Sequence, residues 1–308
     1  MDSLKIFVPA TVSNVTCGFD ILGFPVEAPG DIMTFRKTTK KEVRITHISG
    51  ADHLPYETHR NIAGIVAQKM LEDNGMPFGL EITLDKGIMP GSGIGSSGAS
   101  ASGTAFAVNR LLDNPYTDIE LVPYAMLGEI SASGTRHADN VAPALYGGIV
   151  LIRSYEPLDI IRLDSPEDLY CTIFHPLVEI KTSDARAILR KNLPLDKAVR
   201  QWGNVAGLVT GLLKNDYHLI ARSMEDVVAE PVRSLLIPDY DKLKPAAMDH
   251  GALGFGISGS GPAVFALSRG EETARKVREA MTRAYQSTGI KFNTYVSRIA
   301  KQGAKIVS

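Results

Sequence analysis

The sequence predicts an α+β protein, on three observations. Short apolar or alternating segments recur between amphipathic stretches, without the strict strand and helix alternation of a parallel α/β fold. A run of glycine and serine, PGSGIGSSGASAS at residues 90–102, stands between a predicted strand at 80–86 and a predicted helix at 99–112. A second such run, opening GISGSGPAVFAL at 256–267, enters another predicted strand.

Taken in order, strands are predicted at 5–8, 43–48, 80–84 and 148–153, where β-branched and aromatic residues alternate or cluster. Asn61 can cap a helix that carries Ile62, Ile65, Val66, Met70 and Leu71 and ends at Gly75. Thr117 and Glu120 form a capping box for a helix running to about Ile130, with Glu129 in its last turn. The second half repeats the mixed pattern. Strands are expected near Ile160 and at 170–174, three helical stretches between Ser183 and Asp249, a strand at 263–267, a helix at 271–288 and a strand at 294–299. The polar stretch 155–168, with Pro157 and Pro166, is the expected boundary, dividing the chain into units at 1–156 and 157–308.

Lys plus Arg number 33 against 34 Asp plus Glu, so no net field argues for nucleic acid or an anionic membrane as partner. The only cysteines, Cys17 and Cys171, make neither a disulfide framework nor a zinc site. The amino terminus lacks the apolar core of a signal peptide, and no apolar run approaches membrane-spanning length. A cytoplasmic protein is expected.

The first glycine-serine run has the composition of a phosphate cradle. Glycines let backbone approach an anion closely, and a helix beginning there aims unpaired N–H groups and its positive dipole end at the loop. Two familiar readings fail on context. Gly93, Gly95 and Gly98 spell GxGxxG, but the residue at dinucleotide-binding distance, Asp113, sits in the turn-rich DNPYTD rather than at a strand end. A P-loop needs Lys followed by Ser or Thr, and no Lys lies between Lys86 and Arg110. A third polar stretch, PATVSNVTCGFDILG at 9–23, sets Ser13, Asn14 and Asp20 around Gly18; on residue type alone an ordinary turn explains it better than a cleft lining.

The three stretches, in this order and spacing, resemble the GHMP kinase superfamily of small-molecule kinases. PGSGIGSSGAS is similar to that superfamily's PxxxGLGSSAA motif, with Ile94 in place of Leu and Pro90 one position closer to the glycines. The resemblance spans nearly the whole chain. It implies a GHMP kinase fold: an N-terminal domain like the second domain of ribosomal protein S5 and a C-terminal ferredoxin-like α+β domain. Within the superfamily, 9–23, HADNVAPALYGG at 137–148, TSDARAIL at 182–189 and AEPVRSLLIP at 229–238 resemble the homoserine kinases.

That resemblance implies ATP with Mg2+, L-homoserine as acceptor, and a homodimer. The nucleotide would lie along Met89, Pro90, Gly91, Ser92, Gly93, Ile94, Gly95, Ser96, Ser97, Gly98 and Ala99, with Asn61 and Ile62 beside the adenine and Lys86 approaching the nucleotide. Ser97 and Glu129 would supply hard oxygens to the metal. Asn14, Asp20, Arg186, Arg233 and Gly259 would form the substrate pocket, Asp20 pairing with the ammonium and the two arginines with the carboxylate. Alone, either arginine or Glu129 reads as an ordinary exposed residue; the motif match reverses that. Two readings of the hydroxyl's activation stand open: Asp139 as a base, or Asn140 orienting the hydroxyl while the proton passes to phosphate, with His137 as a further hydrogen-bond donor. A kinase for another small alcohol, of shikimate or mevalonate type, and a non-catalytic sensor on the same scaffold are the alternatives.

Overall fold

The computed structural model describes residues 2–134 and 136–308. The first half folds as β1(Ser3–Ser13), β2(Leu22–Thr38), β3(Val43–Ser49), α1(Ile62–Asp73), β4(Gly79–Asp85), α2(Ser96–Leu111), α3(Asp118–Ser133), α4(Val141–Tyr146), β5(Ile149–Tyr155) and β6(Leu158–Leu163). The second comprises β7(Leu169–Pro176), α5(Thr182–Ala187), α6(Leu195–Lys214), α7(Tyr217–Ser223), α8(Glu230–Arg233), α9(Tyr240–Met248), β8(Ala252–Ile257), β9(Val264–Arg269), α10(Glu271–Tyr285), β10(Phe292–Arg298) and β11(Lys305–Ile306). Among the described residues no helix is long and apolar enough to cross a membrane.

The first sheet runs β11-β1-β2-β4-β3, with β5 on β2 and β6 on β5. Only β3 and β4 pair in parallel, joined by α1, as a crossover connection requires. The second sheet, β10-β7-β9-β8, is antiparallel throughout. Its chain order of strand, helices, two strands, helix and strand, with the last strand beside the first, is the ferredoxin-like arrangement the sequence implied.

Every residue of β7 is buried, because both faces of this sheet are covered. Cys171 and Ile173 face the core shared with the first sheet, while Phe174 joins Tyr240, Phe255 and Tyr285 beneath α9 and α10. Edge-on packing of Phe24 against Phe265, with ring centroids 6.1 Å apart, ties the two sheets together.

Both predicted caps form. Asn61 accepts from Ala63 N at 3.0 Å, and the Glu120 carboxylate accepts from Thr117 N at 2.8 Å and from its hydroxyl at 2.6 Å. Three expectations need correction. The 17-residue β2 was not anticipated, since Pro25, Pro29 and Gly30 break its pattern. Helix α2 begins at Ser96 rather than 99: Ser96, Ser97 and Gly98 disfavour helix intrinsically, but the small residues of α2 let it lie close to β1, where a Cβ on Gly103 would come within 2.5 Å of Val8. Five helices rather than three fill residues 182–248. The chain passes from the first sheet to the second at 164–168, inside the polar stretch 155–168, because β6 hairpins onto β5, and β11 returns the chain end to β1.

Candidate active site

The loop between β4 and α2 forms one wall of a cleft of about 360 Å³. Its glycines are dictated by geometry. Gly93 has φ 82°, and a Cβ there would sit 2.6 Å from the Gly261 carbonyl; Gly95 caps α2 at φ 76°, where a Cβ would meet the Thr11 hydroxyl at 2.0 Å. The N–H groups of the first turn of α2 thereby open toward the cleft, lined here by Ser96, Ser97 and Ser100.

Two supports hold the loop. The second glycine-serine loop braces it from behind: Ser258 Oγ donates to the Gly93 carbonyl at 2.8 Å and Ala263 N to the Ser92 carbonyl at 3.1 Å. On the other side, Lys86 is buried in an ion pair with Asp31 and donates to the Ser96 carbonyl at 3.1 Å and Ser100 Oγ at 2.9 Å. Asp31 in turn accepts from Gly87 N and Ile88 N, each at 2.9 Å. Lys86 borders the cleft, but its ammonium is committed to this pair, so it supports the loop instead of presenting a free cation to the nucleotide.

At the base of the cleft, Asn140 Oδ1 accepts from Thr11 Oγ1 at 2.7 Å and its Nδ2 donates to Ser13 Oγ at 3.0 Å, which locks the amide against the end of β1. Asp139 is buried beside it. Burial, together with the nearby carboxylates of Asp20 and Glu129, pushes its pKa up to about 7, with the Ser13 hydroxyl opposing the shift. Glu129 projects from α3 into the same space; burial raises its pKa, and a hydrogen bond from Ser97 holds it back. A carboxylate and a hydroxyl side by side are hard oxygen donors of the kind Mg2+ takes when substrate phosphates and water complete its shell, so this pair fits the implied ion. Among the described residues no group of three or more His, Cys, Asp or Glu could hold a metal.

The opposite end is charged. Arg186 Nη2, from α5, donates to both carboxylate oxygens of Asp20 at 2.9 and 2.8 Å and to His137 Nε2 at 2.8 Å. Because guanidinium only donates, Nε2 must accept, which leaves the proton on Nδ1, 3.6 Å from Asp20. Burial first, and the two arginines next, hold the His137 pKa below its usual value, while Asp20 opposes them. Arg233, buried in α8, gives Nε to the Ala185 carbonyl and Nη1 to the Gly259 carbonyl, both at 3.0 Å. Both guanidinium groups lie over Phe19, 5.7 and 5.1 Å from its centroid.

Asp20 owes its position to a strained turn. Asn14, Val15 and Thr16 follow one another at φ 70°, 40° and 59°, and Asp20 itself has φ 60°. Left-handed backbone at β-branched Val15 and Thr16 costs of order 1–3 kcal/mol each and persists only where surroundings impose it. Here Asn14 accepts from Asp20 N at 3.0 Å and donates to the Gly259 carbonyl at 2.7 Å, while Tyr155 OH donates to the Asp20 carbonyl at 2.7 Å.

Most of the expected residues therefore meet in one cleft: Asn14, Asp20, Asn61, Ile62, Lys86, Pro90 to Gly93, Gly95 to Ser97, Glu129, His137, Asp139, Asn140, Arg186, Arg233 and Gly259 all line it. Four do not. Met89 is 44% exposed outside it, the Ile94 side chain belongs to the core, and Gly98 and Ala99 pack inside α2, where a Cβ on Gly98 would touch Asn140. Sequence reasoning missed Thr11, Asp31 and Tyr155, which act through other residues, and Leu54, Pro55 and Arg60, which line the cleft from an irregular loop. Thr11 and Tyr155 are apolar-patterned strand positions that carry no signal of their own.

The chain is similar in sequence and fold to known proteins. Residues 61–148 match the GHMP kinases N terminal domain and 208–287 the GHMP kinases C terminal domain. The chain belongs to the GHMP kinase family. Within it, the chain is 48% identical to homoserine kinase from Chlorobium phaeobacteroides, over all of both chains. It is 40% identical to homoserine kinase from Methanococcus maripaludis, over 88% of this chain and 89% of the relative. The crystal structure of homoserine kinase from Cytophaga hutchinsonii superposes with a TM-score of 0.96 at 52% identity, covering 100% of this chain and 98% of that one. L. major mevalonate kinase shares the fold alone, with a TM-score of 0.72 at 16% identity over 96% of each chain.

Proposed function

We infer that the protein transfers the γ-phosphoryl group of ATP to the hydroxyl of L-homoserine, giving O-phospho-L-homoserine for threonine synthesis. The observation that carries this reading is the charged corner: an anion and two guanidinium groups sit across the cleft from a helix-terminus phosphate loop. Homoserine is a zwitterion with a primary hydroxyl. Its ammonium matches Asp20 and its carboxylate matches Arg186 and Arg233, whereas a purely anionic alcohol would draw Arg186 away from Asp20 without supplying a cation in its place. Identity of 40 to 52% to four proteins named homoserine kinase, at high coverage, supports the same substrate.

Phosphoryl transfer asks for positioning and charge neutralisation more than covalent chemistry. The N–H groups at the start of α2 hold phosphate oxygens, and Asn61 and Ile62 border the base. Ser97 and Glu129 would hold Mg2+, which when bound neutralises charge on the transferring group. Asn140, fixed by Thr11 and Ser13, keeps its amide rigid enough to orient the hydroxyl. Asp139, with its carboxyl poised near neutrality, stands next to it as the group to which a proton could pass. The reading includes a cytoplasmic enzyme acting as a homodimer.

ADP release measured in parallel with L-homoserine, L-threonine, mevalonate and shikimate tests it. Homoserine should give turnover at least about a hundredfold above the rest: mevalonate and shikimate lack the ammonium, and L-threonine, which matches both charges, carries its hydroxyl one carbon closer to them and as a secondary alcohol. Equal or lower turnover with homoserine overturns the reading.

A further inference from the structure

Helix α6 has two apolar faces, and the fold covers one. Val205, Leu208, Gly211 and Leu212 pack against α7 and the core, where a Cβ on Gly211 would press on Ile220. Gln201 and Asn204 fix the same side by donating to the Cys17 and Glu225 carbonyls at 2.8 and 2.9 Å. On the other side, Leu195, Val199, Trp202 and Leu213 are 73%, 52%, 57% and 59% exposed. The exposed Ala206 and the half-buried Val209, which also touches the core, lie on the same side, and all six fall within about 40° of one line along the helix.

The stripe is symmetrical about Asn204. Leu195 and Leu213 lie nine residues to either side, Val199 and Val209 five, Trp202 and Ala206 two. Antiparallel contact with an identical helix therefore sets Leu on Leu, Val on Val and the large Trp202 on the small Ala206, twice each, as a two-fold interface demands. The charges agree. Asp196 and Lys214 lie on the same flank of the stripe, and antiparallel pairing places Asp196 of one copy beside Lys214 of the other.

We propose that this face of α6 is the self-association surface of the protein, with the α6 helix of a second copy as its occupant. The proposal rests on the dimeric state read above and adds the face that makes it. One helix pair is a small contact against the roughly 1,200 to 2,000 Å² of stable complexes. Leu193, exposed two residues before the helix, lengthens the strip, and the dimer forms in a concentration-dependent equilibrium.

Trp202 is the only tryptophan in the chain, so its emission reports this surface alone. Sedimentation velocity across a dilution series should show twice the 33.2 kDa chain mass at the high end, with Trp202 emission shifting to the blue in step. Val199→Glu with Leu213→Glu should give monomer at all concentrations, with kcat for homoserine and the melting curve unchanged. Asp196→Lys should weaken association several-fold, and adding Lys214→Asp should restore it. A wild-type chain that stays monomeric up to its solubility limit overturns the proposal together with the dimeric reading. Variants that remain dimeric overturn the assigned face alone, and homoserine turnover is unaffected by either result.

Discussion

Arg186 and Asp20 are paired to each other, one guanidinium nitrogen donating to both carboxylate oxygens at 2.8 and 2.9 Å, in the corner that has to receive a zwitterion. On the proposed reading the pair is the substrate's complement closed on itself: homoserine would exchange one internal ion pair for two external ones, leaving neither charge bare.

Arg186→Ala should therefore raise KM for homoserine by about two orders of magnitude, since it removes the carboxylate's partner and strips Asp20 and His137 of theirs. The KM for ATP should move less than about threefold. Arg186→Lys should recover only part of the loss, because a single ammonium cannot hold Asp20, His137 and substrate in one plane. Steady-state kinetics with each substrate varied in turn checks this. A proportionate rise in both KM values would place Arg186 in the general architecture of the cleft.

Gly95 and Gly91 separate backbone strain from steric exclusion. Both are left-handed, at φ 76° and 74°, but a Cβ at 91 meets nothing within 4 Å while one at 95 strikes the Thr11 hydroxyl. Gly91→Ala should cost about 1 kcal/mol of stability with little effect on ATP binding. Gly95→Ala should cost about 2–4 kcal/mol and raise KM for ATP at least tenfold, because the first turn of α2 must shift with it. Urea unfolding and nucleotide titration of the two variants provide the comparison.

Asp139 makes stability depend on pH in the unusual direction. The folded protein holds its proton up to about pH 7, whereas the unfolded chain releases it near 3.8, so this group takes stability away as pH rises between those values. Asp139→Asn should stabilise the protein by roughly 1–3 kcal/mol at pH 8 and by nothing near pH 4. Thermal melts at both pH values read this directly. If the same variant loses about a hundredfold or more in kcat, Asp139 takes the hydroxyl's proton; if it loses less than tenfold, Asn140 and the phosphate suffice.

Ser97→Ala and Glu129→Gln should each lower kcat by about two to three orders of magnitude at saturating Mg2+ with melting curves unchanged or raised. For Glu129→Gln the rise follows from its buried carboxyl, whose pKa burial has lifted. Unchanged rates in both variants would remove these residues from the metal site.

How far the sequence could be read follows from where each signal resides. The glycine-serine loop was legible because its glycines answer a local need, a left-handed cap that Gly95 alone can supply without a clash. The capped starts of α1 and α3 were legible for the same reason. Asp20, Arg186 and Arg233 emerged only through resemblance, since 166 residues separate the first two and no local pattern marks either. Strand β2 and the placement of β6 were hidden because sheet membership is decided by partners distant in the chain. The ion pair of Lys86 was hidden for a related reason: its buried partner, Asp31, lies 55 residues away on β2, the strand that was missed.

Recognition of a zwitterion by Asp20 and Arg186 is the centre of this account, and comparing L-homoserine with 4-hydroxybutanoate, which lacks the ammonium, tests it most directly. The wild-type enzyme should favour homoserine in kcat/KM by about two to three orders of magnitude, and Asp20→Asn should collapse that preference to within about tenfold. A preference that survives intact in Asp20→Asn would contradict the assignment.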